Sequence, residues 1–295
     1  MAGFMETLKS KYRSGNIVTR LIFINVTVFI VLKIITVIFT LFNLQGMDLI
    51  PFLGVPSRLS LLAERIWTPL TYMFIHENFL HLLFNMLWLY WFGKIFLDSF
   101  TGRTMGSLYV LGGLAGALLY VLAFNTIPYY TAMDRSWMIG ASAAVMTIVM
   151  GIAFYRPEVR LNLLFLGQIR IIYIAIFAFL LDFLSLSDPS NPGGHVAHIG
   201  GALLGYLFAV RYRKGKDITH WVSRTFDRLF GLFKPRKKRP KMKVRHARNE
   251  TDWEYNQRKQ TEQEEINAIL DKLKQTGYSG LSPEEKKRLF DASKK

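Results

Sequence analysis

The chain has 295 residues, 51% of them hydrophobic, and carries 37 Lys+Arg against 21 Asp+Glu for a net charge of +16. Its apolar residues fall into runs long enough to cross or nearly cross a bilayer core of roughly 30 Å, which excludes a soluble globular protein. It contains no cysteine, so disulfides, thiolate catalysis and cysteine-ligated zinc or iron–sulfur sites are excluded as well.

Residues 1–18 form a basic N-terminal segment with Lys9, Lys11 and Arg13, and Arg20 stands at the start of the first apolar run. That run, 19–42, exceeds the roughly 7–15 residues of a signal-peptide core and reads as an uncleaved anchor. Further runs lie near 79–98, 104–124, 139–155, 171–187 and 195–212. With no water in the bilayer core, backbone groups must be satisfied internally, and apolar runs without strict alternation favour helices over a barrel. The predicted fold is therefore all-α: a polytopic bundle of six transmembrane helices over 19–212, followed by a small cytosolic helical tail.

Lys and Arg mark the cytoplasmic side of short loops. They are sparse in 43–78 (Arg58, Arg65), in 125–138 (Arg135) and in 188–194, which has none. They gather in the N-terminus, in Lys94 and Arg103 around the 99–103 turn, in Arg156, Arg160 and Arg170, and from Arg211 onward. Both termini are expected in the cytoplasm, so the second, fourth and sixth helices all begin at the outer face. Two charges fall inside spans, Lys33 in the first and Asp182 in the fifth. Neither is assigned a partner: Lys33 is expected to snorkel, and Asp182 to face a polar neighbour near the outer end.

Beyond the bundle, 213–249 is densely basic and includes Lys-Pro-Arg-Lys-Lys-Arg-Pro at 234–240. Before that run, Ile218, Trp221, Val222, Thr225, Phe226, Leu229 and Phe230 recur at helical spacing and predict an interfacial helix on an anionic leaflet. The positive-inside pattern already accounts for the charge, so nucleic acid is not an expected partner. Within the tail, 250–295, helices are predicted over about 250–275 and 283–291. Ser282 caps the second, with Pro283 first and Glu284 and Glu285 in the opening turn. Nothing in the tail names its partner.

The few polar residues inside the spans converge at the outer helix ends. His76, His81 and Asn85 lie at the start of the second helix, Gly140-Ala-Ser142-Ala-Ala opens the fourth, and His195 and His198 open the sixth. A transmembrane serine is more often a packing residue than a nucleophile. Here Gly140, Ala141, Ala143 and Ala144 on one helix, and Gly200, Gly201 and Gly205 on another, would let the two approach closely enough for an imidazole to reach the hydroxyl. His198 is the expected base. It lies one turn deeper than His195, which is expected at the aqueous mouth. No acidic residue is evidently placed to orient it, so a Ser142/His198 dyad is the economical reading. His81 and Asn85, four residues apart on one helix face, with the Ser142 N–H, are candidate oxyanion donors; their alternative role is interhelical hydrogen bonding.

His76-Glu77-Asn78-Phe79-Leu80-His81 is a zinc-protease HExxH with one residue inserted. On a helix, five-residue spacing would rotate the second imidazole roughly 140° from the first, so no metal site is expected there.

These residues resemble the motifs of rhomboid intramembrane serine proteases. His81-Leu-Leu-Phe-Asn85 resembles the family's HxxxN, Gly140-Ala-Ser142-Ala its GxSx and Ala197-His198-Ile-Gly-Gly its AHxxG; His76 matches an additional histidine, and Trp67-Thr-Pro-Leu-Thr-Tyr72 the approach to the second helix. Ala143 stands where many members have Gly, and Glu64-Arg65 lies roughly where a Trp-Arg pair is often found. Over about 17–212 the resemblance implies a cofactor-free endopeptidase. Ser142 would be its nucleophile, His198 its general base and acid, and His81 and Asn85 its oxyanion donors. His76, Gly140, Gly201 and Gly205 would support them. It implies transmembrane protein substrates with small or helix-breaking residues, and a bacterial cytoplasmic membrane, while the charge pattern alone leaves an organelle membrane open. Membrane-client binding without hydrolysis is the alternative, although chains of that kind usually lack the Ser or His.

Overall fold

The computed structural model describes residues 2–44, 49–133, 136–163, 167–233 and 251–293. The chain forms two units, Met1–Lys234 and Pro235–Lys295.

In the first unit, α1 (Ala2–Ser14) ends before Asn16, whose side chain caps α2 (Ile17–Leu41) by accepting from the Thr19 N–H. Next come α3 (Ile50–Leu53), β1 (Val55–Pro56), α4 (Leu59–Glu64), α5 (Thr68–Thr71) and a 3-10 turn at Tyr72–Phe74. They lead to α6 (Phe79–Leu97), α7 (Gly102–Thr126), α8 (Pro128–Thr131), β2 (Trp137–Met138) and α9 (Ser142–Tyr155). A hairpin of β3 (Arg160–Leu163) and β4 (Gly167–Arg170) connects to α10 (Ile171–Leu184), α11 (Pro192–Arg213) and α12 (His220–Phe233).

Four of these helices, α2, α6, α7 and α11, are long and apolar enough to cross a membrane. The other two helices of the expected six, α9 and α10, have 14 residues each, or about 21 Å at 1.5 Å per residue. The 139–155 run yields a shorter helix because Gly140 has φ 124° and cannot be helical. The 195–212 run yields a longer one, since Asn191 caps α11 and Pro192, three residues upstream of the run, supplies its first position.

α9 lies at the centre, with every side chain from Ala143 to Ala153 buried. α11 and α7 pack directly on it. Small residues make this possible: a Cβ on Gly201 would lie 2.1 Å from the Ala143 carbonyl oxygen, and one on Gly205 2.4 Å from that of Thr147. The Thr147 hydroxyl, 2.8 Å from the Gly201 carbonyl and 2.9 Å from that of Ala143, bridges the contact. α2 and α10 instead present Ile30, Ile34, Val37, Phe177, Leu180 and Leu184 outward, as a lipid-facing rim does.

α12 forms where the amphipathic pattern predicts, with Val222 buried and Trp221 exposed. The side chains of Phe226, Leu229 and Phe230, and the basic run 234–240, lie outside the described residues. The second unit, described over 251–293, is a helical pair, α13 (Asp252–Thr276) and α14 (Pro283–Ala292). Each begins with a capping box, Thr251 with Glu254 and Ser282 with Glu285. Lys272 bonds Glu285 at 2.9 Å, Arg288 pairs with Glu265, and Ile269 and Leu281 are buried. The Ser282 cap and Pro283 stand as the sequence predicts.

Candidate active site

The starts of α6, α9 and α11 come together at one level. Arg213 at the end of α11 donates to the carbonyl of Tyr155 at the end of α9, 2.9 Å away, so these two helices finish side by side. At 1.5 Å per residue, Ser142 lies about 20 Å back along α9 and His198 about 22 Å back along α11.

Ser142 is the first residue of α9 because the chain before it is clamped. β1 pairs with β2 through Val55 with Met138 and Pro56 with Trp137. The Gly140 N–H then donates to the Tyr72 carbonyl at 3.0 Å, while the Tyr72 hydroxyl donates to the Gly113 carbonyl at 2.7 Å. Gly140 turns the chain at positive φ beside the His81 ring, where a Cβ would meet Nε2 at 2.9 Å. The first backbone hydrogen bond of α9 runs from the Val145 N–H to the Ala141 carbonyl. The Ser142 N–H thus has no intrahelical acceptor and sits at the positive end of the helix.

Asn78 caps α6 by accepting from the His81 N–H at 2.9 Å. Asn85 uses one amide N–H on the His81 carbonyl, 2.8 Å away, leaving the other for the cavity it lines. His76 precedes the helix, so the helical rotation expected between it and His81 does not apply: the rings are 5.1 Å apart, edge to face. His76 is buried and does not line the cavity. The Lys33 ammonium donates to the Glu77 carbonyl at 2.9 Å and ties α2 to the turn between these histidines. Arg65 donates to the Pro51 carbonyl and stacks near Phe52 and Trp137, bracing the first loop against the strand that leads to Ser142.

The expectation that no acid orients the base is overturned. Asp182 Oδ1 lies 2.7 Å from His198 Nδ1 and 2.9 Å from His195 Nδ1. His195 is therefore half-buried against a carboxylate rather than at an aqueous mouth. The signal for Asp182 was in the spacing. It stands two residues from the end of α10, seven residues link α10 to α11, and His195 and His198 lie in the first two turns of α11. A reversal that short puts them at one height. Tyr129 and Tyr130 hold the link by donating to the Ser187 and Leu186 carbonyls, each at 2.7 Å.

The donor atoms of Asp182, His195 and His198 lie within 4.8 Å of one another. The two oxygen–nitrogen separations are hydrogen-bond lengths, shorter than the roughly 3.3 Å edge of a tetrahedral zinc site with bonds near 2.0 Å, so an ion would have to spread the cluster.

Ser142, His198, His81, Asn85 and Asp182 line one cavity of about 400 Å³, with Phe84 and Trp88 of α6 and Ala178 and Leu181 of α10 as its apolar walls. Among the described residues, the hydrogen bonding of the His198 ring is to Asp182, and no hydrogen bond joins it to the Ser142 hydroxyl. Such contacts are often long before a substrate tightens them. The cavity brings together a hydroxyl, an imidazole and N–H donors between largely apolar walls.

Fold and side chains together define a membrane protein whose helical bundle holds an apolar-walled cavity carrying a serine, two histidines, two asparagines and an aspartate. The Rhomboid domain profile matches residues 63–215, slightly more than half the chain, and the chain belongs to the rhomboid family. RHOMBOID-like protein 12, mitochondrial, of Arabidopsis thaliana is 28% identical over 163 residues, 52% of this chain and 48% of that relative. The matched region thus spans about half the relative's length. Residues 249–295 match DUF6576, a family of unknown function.

Proposed function

We propose that the protein is an intramembrane serine endopeptidase that cuts peptide bonds in or near transmembrane segments of other membrane proteins. The observation that carries this reading is the common cavity of Ser142 and His198, ringed by N–H donors at helix starts. Ser142 Oγ attacks the scissile carbonyl as its proton passes to His198 Nε2, and the carbonyl π pair becomes the oxyanion. His81, the free amide N–H of Asn85 and the Ser142 N–H stabilise that charge. The proton then goes to the leaving amine as the C–N bond breaks. Water hydrolyses the acyl-enzyme by the same route in reverse. Phe84, Trp88, Ala178 and Leu181 suit an apolar segment that has unwound near small or helix-breaking residues.

With basic residues on the cytoplasmic side, both termini lie there and the cavity opens toward the opposite face. The expected partners are transmembrane substrates and the bilayer itself, with the basic segment around α12 lying on lipid.

The decisive test is Ser142→Ala in liposomes with a helix-destabilised transmembrane substrate. Cleavage should vanish while the bundle stays folded, and persistence of hydrolysis would reject the assignment. The lack of a direct hydrogen bond between Ser142 and His198 favours one rival, a client-binding protein without hydrolysis. Covalent labelling of Ser142 by a fluorophosphonate separates the two, since it requires an activated hydroxyl.

A further inference from the structure

We propose that Asp182 is a positioning residue for His198, so that the site works as a serine–histidine–aspartate relay rather than a dyad. The inference rests on the reading of Ser142 and His198 as nucleophile and base.

An imidazole base must present a lone pair at the nitrogen facing the serine, and so must carry its proton on the other. His198 Nδ1 lies 2.7 Å from Asp182 Oδ1. A carboxylate can only accept, so the bond fixes the proton on Nδ1 and leaves Nε2 as the acceptor. The bond also fixes the ring's rotation, anchoring a side chain on α11 to a fixed point on α10.

The carboxylate has a second task. When the Ser142 proton moves to Nε2, His198 becomes an imidazolium in surroundings where an uncompensated charge is expensive. Asp182, whose side chain is 12% exposed, supplies the opposite charge in direct contact. No proton need reach the carboxylate; it remains the acceptor through attack and through donation to the leaving amine. His195 donates to the same oxygen at 2.9 Å, so Asp182 is held between two N–H groups rather than left to follow α10 outward.

The groups facing His198 are Asp182 from α10, His195 from its own helix, His81 from α6 and Ser142 from α9. α7 presents Tyr120 one turn away, against Gly193. Asp182 is thus the anionic member of this set, and its removal has a signature that loss of packing lacks. Asp182→Asn should lower kcat at least about 100-fold with KM within roughly threefold. It should also move the acid limb of the kcat/KM profile to lower pH by about one unit, because the imidazolium loses its counter-charge. Asp182→Glu should recover at least about tenfold over the Asn variant. Each value is normalised to the endpoint of fluorophosphonate labelling, which counts competent sites.

If Asp182→Asn keeps wild-type kcat per site and an unmoved acid limb while Ser142→Ala is dead, the relay is wrong and the dyad stands. A loss explained wholly by fewer competent sites likewise overturns it, leaving Asp182 as a tie between helices. If the wild type neither cleaves nor labels, the underlying Ser142/His198 reading has failed instead. Should the Asn variant not fold, ¹⁵N-histidine spectra of the folded Ser142→Ala protein decide the matter. The relay requires a hydrogen-bonded Nδ1 proton on His198, absent in the added His198→Gln variant; a His198 protonated at Nε2 alone refutes it.

Discussion

α9 and α10 have the same length, 14 residues each, and both pack on α11, yet they occupy opposite environments. α9 buries its side chains from Ala143 to Ala153 on all sides, whereas α10 buries Ile171, Ala175 and Asp182, packs Ile172, Ile174, Ala178 and Phe179 partly against the core, and leaves its other face exposed. Both are strongly apolar, so hydrophobicity does not separate them; side-chain size does. Ala, Gly and Thr in α9 admit other backbones to contact, while Phe177, Leu180, Phe183 and Leu184 in α10 face where lipid tails would lie. The proposed nucleophile and base therefore stand on the most constrained pair of helices, and the carboxylate behind the base stands on one of the least.

The sharpest way to break this contrast is to enlarge Gly201. Gly201→Leu places a side chain where even a Cβ meets the Ala143 carbonyl oxygen at 2.1 Å, and should destabilise by on the order of 3 kcal/mol or more. The readout is loss of the monodisperse peak and of the thermal transition in detergent; a wild-type transition would disprove the close contact. Ile148→Ala in fully buried α9 should cost about 2–4 kcal/mol by opening a cavity, measured the same way.

The water-exposed tail responds to pH. Hydrogen bonding to Lys272 and to the Ser282 N–H lowers the Glu285 pKa below its ordinary value, and hydrogen bonding at Thr251 does the same for Glu254. Carboxyls depressed in the folded state stabilise it fully above their unfolded values, near 4.5, and lose that contribution as pH falls through the folded values. Tail helicity, followed by amide exchange in the whole protein, should decline below about pH 4.5 and hold above it. The smallest effect is expected on the rim. Phe177→Ala, on a side chain 62% exposed, should shift stability by about 0.5 kcal/mol or less; a shift like that of Ile148→Ala would erase the distinction between the two helices.

The helices were legible because apolar runs and caps are local: Ser282 with Pro283 announces α14, and of the six runs four announce helices long and apolar enough to cross a membrane, while the other two give the shorter α9 and α10. The convergence of His81, Asn85, Ser142 and His198 was legible because each lies near the start of its helix, so counting places them level. Asp182 was not, for it lies at the end of a helix and reads as an isolated intramembrane charge until the short link to α11 is followed back. Lys33 escaped because its acceptor is a backbone carbonyl at Glu77, which no residue type advertises. The true relation of His76 to His81 depended on where α6 begins, and Asn78 sets that point by capping.

The brevity of α9 has a consequence for the surrounding lipid. Its far end is level with Arg213 and followed by exposed Arg156 and Glu158, residues at home among headgroups. If that end sits at the headgroups of a bilayer with a core of roughly 30 Å, the shortfall of α9 falls at the Ser142 end and puts it about 10 Å beneath the other surface. If the protein cuts transmembrane segments as proposed, thickening or thinning the membrane should slide a guest helix past the Ser142 hydroxyl, and so change which of its bonds is presented for attack.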